Sequence, residues 1–264
     1  MSIRISKRFL DRAKAGLRRY QKILASAKVR DVNESDTVVI VSDFLAEVLG
    51  YDKYSELTTE FAIRSTFCDL AVKVDGRLNF LIEVKSAGTD LKENHLRQCV
   101  DYGAKQGTEW VILTNGSVWQ AHRIRFEQPI QSDLIFTIDL LDPTSRTAEL
   151  LERLYLISRE SATGSDITKF AAHREATSRF VVARLLLTES ILSAVRREMR
   201  RLSPGLSIAT AEVEKLLREE VLKREALEGE RAESAESLVK RAARRRARAE
   251  AATTESESAA AAVP

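Results

Sequence analysis

Cysteine and histidine are scarce in this chain of 264 residues: two cysteines, Cys68 and Cys99, and three histidines, His95, His122 and His173. The cysteines lack CxxC spacing and no histidine cluster accompanies them, which argues against a disulfide framework or a zinc site. The histidines are scattered, so none is assigned a catalytic role. No apolar run is long enough to cross a bilayer and no signal peptide opens the sequence, so a cytoplasmic protein with no membrane partner is expected. No GxxxxGKS/T motif occurs, which excludes a P-loop motor within the chain. Clean heptads are too few to support a coiled coil.

What is present is ample apolar material, 44% of residues, and a high charged fraction of 31% that nearly cancels to a net +3. The balance hides an asymmetry. A basic run, KRAARRRAR, occupies 240–248, and the amino terminus is basic as well. Both patches suit nucleic acid, although a solvated helix face is the commoner reason for a charge run.

The most regular stretch follows Glu60. Cys68, Leu70, Val72 and Val74 alternate with Asp69, Ala71 and Lys73; beyond Asp75-Gly76, Leu78, Phe80, Ile82 and Val84 alternate with Asn79, Leu81, Glu83 and Lys85. Two alternating runs around Asp-Gly predict a β-hairpin with one apolar face and one largely polar face, and place Cys68 on the apolar side. A two-residue loop would mix the faces, so an odd loop is expected, either 75–77 or 74–76. The first sets Asp69 opposite Glu83 and the second sets them diagonally, about 5 Å or about 7 to 8 Å apart at Cβ, so either lets the two carboxylates share one ion. Lys85 projects from the same face.

These residue types suit phosphodiester chemistry. Mg²⁺ prefers hard oxygen ligands, takes only one or two carboxylates from protein, and keeps several waters. It acidifies a water and clamps phosphate oxygens, while an adjacent lysine orients that water and offsets developing charge. A solvated strand face would carry similar alternating charges, and Asp90-Leu91-Lys92 offers a second acidic-x-Lys without the hairpin.

Along the chain, helices are expected at about 5–29 and, after Asn33 as N-cap, up to Gly50, with Glu34 in the first turn. An opening strand near 57–64 carries Glu60, which reads as structural. A helix at about 91–105 puts Gln98 and Tyr102 on one face. Strands follow at 109–115, 117–126 and 133–140, with Asn115-Gly116 as a turn and Trp119 as packing. The reading is an α/β sheet flanked by helices over roughly 31–142, preceded by a basic helix at 1–30. It is followed by a helical region, 143–229, with helices at 146–158, 173–202 and 208–227. The low-complexity tail, 230–264, is expected to be disordered, with a frayed helix over 233–250 as the alternative.

An Asp followed by Glu-x-Lys on the next strand resembles the PD-(D/E)xK nuclease superfamily. The series Glu34-Ser-Asp-Thr, LGYD at 49–52, CDLAVK, FLIEVKSAG, Gln98-x-x-x-Tyr102 and LTNGSVW at 113–119 resembles the amino-terminal nuclease domain of type I restriction enzyme R subunits. The resemblance implies a restriction-endonuclease-like central mixed sheet. It implies that Asp69 and Glu83 hold Mg²⁺ or Mn²⁺ with the Val84 carbonyl as a third ligand, that Glu34 reaches the ion through water, and that Lys85 positions the attacking water. It also implies that Gln98 and Tyr102 match the QxxxY motif, shared with recombinational-repair exonucleases, and contact DNA. Cys68 stands where the superfamily name has proline. The expected activity is a stand-alone DNA nuclease, an endonuclease rather than an exonuclease, in restriction, defence or repair, with Arg244, Arg245 and Arg246 adding DNA contacts. Two alternatives stay open: a DNA-binding module without turnover, and an assembly protein whose carboxy-terminal helices hold a protein partner or a second copy.

Overall fold

The computed structural model describes residues 3–63, 66–144 and 146–261. Arg64, at the end of the expected first strand, and residues 262–264 of the tail lie outside the described residues. The chain forms two compact units, Met1–Ala171 and Ala172–Pro264.

The first unit is an α/β layer structure. Its sheet has six strands in sequence order: β1 (Leu57–Ile63), β2 (Thr66–Val74), β3 (Arg77–Val84), β4 (Trp110–Thr114), β5 (Val118–Arg125) and β6 (Gln131–Asp139). Every neighbouring pair is antiparallel except β3 and β4, which run parallel. A parallel pair needs a crossover, and α3 (Glu93–Gln106) supplies it.

One face of the sheet carries the main core. Leu70, Val72, Phe80, Ile82 and Val84 pack there with residues of α1 (Lys7–Val29), α2 (Glu34–Glu47) and α4 (Thr147–Leu156). The amino-terminal helix and the helices just past Pro143 thus belong to the same unit as the sheet. Arg12 explains part of this. Its guanidinium donates to the Val48 and Leu49 carbonyls at 2.9 and 3.1 Å, satisfying orphan groups beyond α2, and pairs with Glu160 at 2.9 Å in α5 (Arg159–Gly164). The LGYD segment is equally structural: Tyr51 Oη donates to the Ile157 carbonyl at 2.9 Å.

The opposite face is not open. Ala71, Leu81 and Val111 lie under α3 with Cys99 and Tyr102. The hairpin face read as largely polar is therefore covered along much of its length, because a crossover helix between parallel strands must lie on the sheet. Cys68 is buried as expected, but in this second cluster rather than in the main core.

The hairpin turn also differs from expectation. Val74 pairs with Arg77, leaving Asp75-Gly76 as a two-residue loop with both φ angles positive, 51° and 75°. Two consecutive left-handed residues match the right-handed twist of the strands. Face matching is restored by a bulge: Lys73 pairs with Leu78 and Val72 with Phe80, so Asn79 is the extra residue. Its side chain accepts the Val74 N–H at 3.1 Å.

In the second unit the expected helix over 173–202 is broken into three. These are α6 (Asp166–Ala176, which begins in the first unit), α7 (Arg179–Leu186) and α8 (Glu189–Leu202). Ser178 caps α7 by accepting the Val181 N–H at 3.3 Å, and Thr188 stands at the N-cap of α8. Such hydroxyls favour caps over helix interiors. The next helix, α9 (Thr210–Leu216), widens into a π turn over Leu217–Val221 and then a short 3-10 turn at Arg224–Ala226 rather than running on as one helix to 227. α10 spans Glu230–Ala261, and Ala232 and Ala235 near its start are buried against Phe180 and Val181 of α7.

Candidate active site

The site lies at the carboxyl end of β3, beside its parallel neighbour β4, where open α/β sheets commonly bind ligands. Lys85 N–H donates to the Thr114 carbonyl at 2.7 Å, so the end of β3 is held to β4. The β2–β3 register pairs Leu70 with Ile82, and one step further sets Asp69 across from Glu83. The two carboxylates are close enough for the charge of Asp69 to raise the proton affinity of Glu83.

Each side chain is held differently. Asp69 Oδ2 accepts the Val84 N–H at 2.7 Å. Lys85 Nζ donates to Glu83 Oε1 at 2.8 Å and reaches Glu34 Oε2 at 3.4 Å. Glu34 stands in the first turn of α2, whose N-cap Asn33 accepts the Asp36 N–H at 2.9 Å. Glu83 is only 2% exposed, and its Oε2 has no hydrogen-bond partner. A buried carboxylate oxygen without a partner is costly unless something binds there.

The electrostatics agree. Burial pushes the Glu83 carboxyl up to about 7; the Lys85 hydrogen bond opposes that, while the charges of Asp69 and Glu34 add to it. Asp69 is also raised by burial, against the pull of the Val84 N–H and Lys85. Burial alone would lower Lys85, but its hydrogen bond to Glu83 and the surrounding carboxylates raise it instead. The lysine is therefore a firm cation.

Gln98 and Tyr102 meet as expected from their spacing: Gln98 Nε2 donates to Tyr102 Oη at 2.9 Å. The Tyr102 ring is buried in the cluster under α3, while Gln98 is exposed. Among the described residues neither is hydrogen-bonded to Asp69, Glu83 or Lys85. Arg244, Arg245 and Arg246 are exposed on α10 in the second unit. Cys68 and Cys99 are fully buried, and burial raises both thiols, Cys68 to about 12, so neither is a nucleophile.

His95 was not singled out by its sequence. Burial and then Lys85 and Lys92 lower its pKa while Glu34 raises it, so it stands within electrostatic reach of the site. Its Nδ1 accepts the Lys92 N–H at 3.3 Å at the start of α3. The usable signal was spacing: His95, Gln98 and Tyr102 share one helical stripe. His122, in contrast, is a buried neutral histidine, with its pKa pushed down to about 4 by burial. Trp119 packs as expected, 1% exposed against Phe44, its Nε1–H donating to the Gly116 carbonyl at 2.7 Å.

Residues 40–134 match the family of the type I restriction enzyme R protein N terminus. The match contains Asp69, Glu83, Lys85, Gln98 and Tyr102, and stops short of Glu34 and of the second unit. It also spans the whole sheet from β1 to β5 and the start of β6, so the R-protein-like segment is the part of the chain that builds the site. No curated protein and no solved structure matches the chain. Among the described residues no helix is long and apolar enough to cross a membrane. No group of three or more His, Cys, Asp or Glu side chains forms a metal cluster among the described residues either. What the site offers is a pair of carboxylates, with Glu34 on Lys85.

Proposed function

We propose that the first unit hydrolyses DNA phosphodiester bonds with the help of one divalent cation, Mg²⁺ or Mn²⁺. The observation that carries this reading is the buried, partnerless Oε2 of Glu83, set across the strand pair from Asp69 and two residues from Lys85. An orphaned carboxylate oxygen beside a second carboxylate fits a hard cation of low ligand demand. Asp69, Glu83 and the Val84 carbonyl would hold it, and Glu34 would reach it through water. When bound, the ion supplies Lewis-acid polarisation of the phosphate and an acidified water.

The chain's own groups do the rest. Lys85 is fixed by Glu83 and Glu34 and stays protonated, so it acts as a donor and not as a base. It orients the attacking water and offsets charge on the phosphate as the water oxygen bonds to phosphorus and the leaving sugar oxygen departs. Tyr102 and Gln98 hold each other on α3 and position the strand. The basic faces of α1 and α10 add sequence-independent attraction to DNA.

The test is nicking of supercoiled plasmid with Mg²⁺, comparing the natural protein with Glu83→Ala. Nicking by the first and not the second supports the reading. No nicking by either, with DNA still bound, favours a binding module; equal nicking by both refutes the site.

A further inference from the structure

A strand keeps one face per parity, so residues two apart share a face. β1 and β2 break this rule at the same level. On β2, Cys68 packs under α3 while Leu70 lies in the main core on the opposite face. On β1, Leu57 packs against the main core whereas Phe61 and Ile63 join the cluster under α3. Between these points Thr59 pairs with Leu70 and Phe61 with Cys68, but Glu60 and Asp69 do not pair although they stand opposite each other. Both strands therefore roll over at Glu60 and Asp69.

Glu60 shows how. Its φ is 48°, a left-handed conformation in mid-strand, uncommon for a residue with a Cβ and rare in a strand. Its side chain is exposed, so the carboxylate is not what holds the kink in place. The consequence falls on Asp69. Released from its ladder position, it turns its carboxylate along the sheet and accepts the Val84 N–H at 2.7 Å, across from Glu83.

We propose that Glu60 is a positioning residue whose left-handed backbone, rather than its side chain, aims Asp69 at Val84 and Glu83. The inference deepens the proposed metal site and rests on Asp69 being one of its ligands. Strain retained beside a functional group is where such a device is expected. Glycine or asparagine in place of Glu60 would serve as well, since both tolerate the left-handed region; a β-branched residue would not.

The experiment uses the full chain, isotope-labelled, without metal, and follows the Val84 amide proton by NMR, with Asp69→Ala marking its position when the carboxylate is gone. A second arm measures Mn²⁺ binding. Glu60→Gly, Glu60→Asn and Glu60→Gln are expected to leave the Val84 resonance and Mn²⁺ affinity unchanged. Glu60→Val is expected to move Val84 toward its Asp69→Ala position and to weaken Mn²⁺ binding about tenfold, the scale of losing a ligand's orienting partner. Should Glu60→Val fail to fold, Glu60→Thr, also β-branched but polar at this exposed position, takes its place with the same sign. An unmoved Val84 in the folded Val or Thr variant overturns the proposal, as does a loss of the resonance in Glu60→Gln, which would make the carboxylate the working part. If Val84 moves as stated but the natural protein binds no Mn²⁺, the positioning stands and the metal reading falls.

Discussion

At the scale of the residue, the site turns on one buried acid. Glu83 has its proton affinity raised to about 7 by burial, far above an unfolded glutamate, and Asp69 is shifted the same way. The folded, metal-free protein therefore binds more protons than the unfolded chain between the ordinary carboxylate range and about pH 7, and stability falls as pH rises through that window. Stabilisation by protonated Glu83 is complete below the unfolded pKa and lost above about 7. Thermal unfolding without metal is expected at a lower temperature at pH 8 than at pH 5.5, and Glu83→Gln is expected to flatten that slope. A slope unchanged by Glu83→Gln would show that other groups set it. On the proposed metal reading, Mg²⁺ would compete with the proton for the same carboxylate, so its stabilising effect is expected to grow as pH rises. Lys85→Ala is a different lesion. It removes a donor held at 2.8 Å from Glu83, so cleavage is expected to drop about 10²- to 10³-fold while Mn²⁺ binding persists in calorimetry. Normal cleavage by that variant would overturn the role of Lys85.

At the scale of the element, α3 decides both what the strand pattern revealed and what it hid. Alternation on 68–85 was enough to find β2 and β3, but not the change of face between Cys68 and Leu70 that flanks Asp69. It could not show that α3 lies over Ala71 and Leu81, since burial of a second face depends on a parallel neighbour more than twenty residues away. Nor could it choose the turn, because a two-residue loop with a bulge at Asn79 restores the same parity as an odd loop. The rollover at Glu60 was invisible for a similar reason: glutamate carries no mark of positive φ. Helix spacing did put Gln98 and Tyr102 together, and it carries a prediction. Gln98→Ala and Tyr102→Phe each break the 2.9 Å bond between them, so each is expected to cost about ten- to a hundredfold in cleavage, the scale of a misplaced substrate contact. The double variant is expected to lose little more than either single one, because they act as a unit. Fully additive losses would mean that the two side chains work separately. Tyr102→Phe keeps the buried ring and is expected to fold normally, whereas Tyr102→Ala opens a hole under α3.

At the scale of the whole molecule, chemistry and charge are divided between segments of very different character. The carboxylates sit on the sheet of the first unit, while the strongest basic run lies on α10, which is helical and packed on α7 at its start. Arg184 and Glu236 pair at 3.1 Å across those two helices, so removing the chain from 231 onward would strip the cover from Phe180 and Val181. Loss of DNA binding on such a truncation would confound charge with unfolding. Replacing Arg244, Arg245 and Arg246 with glutamine avoids this, since all three are exposed and glutamine is a good helix former. If they contact phosphates, each contact releases counterions, and affinity falls linearly in log–log terms with salt, with a slope of about −0.9 per phosphate on duplex DNA. The triple variant is then expected to bind duplex DNA more weakly at low salt and with a shallower slope, by up to about 0.9 for each arginine engaged. The loss is expected to be the same on unrelated sequences, because phosphate contacts carry no base information. Cleavage at saturating DNA is expected to be unchanged, since Asp69, Glu83 and Lys85 belong to the first unit and the three arginines to the second. An unaltered salt slope over roughly 50 to 200 mM would leave α10 as a solvated basic helix and move the search for DNA contacts to α1.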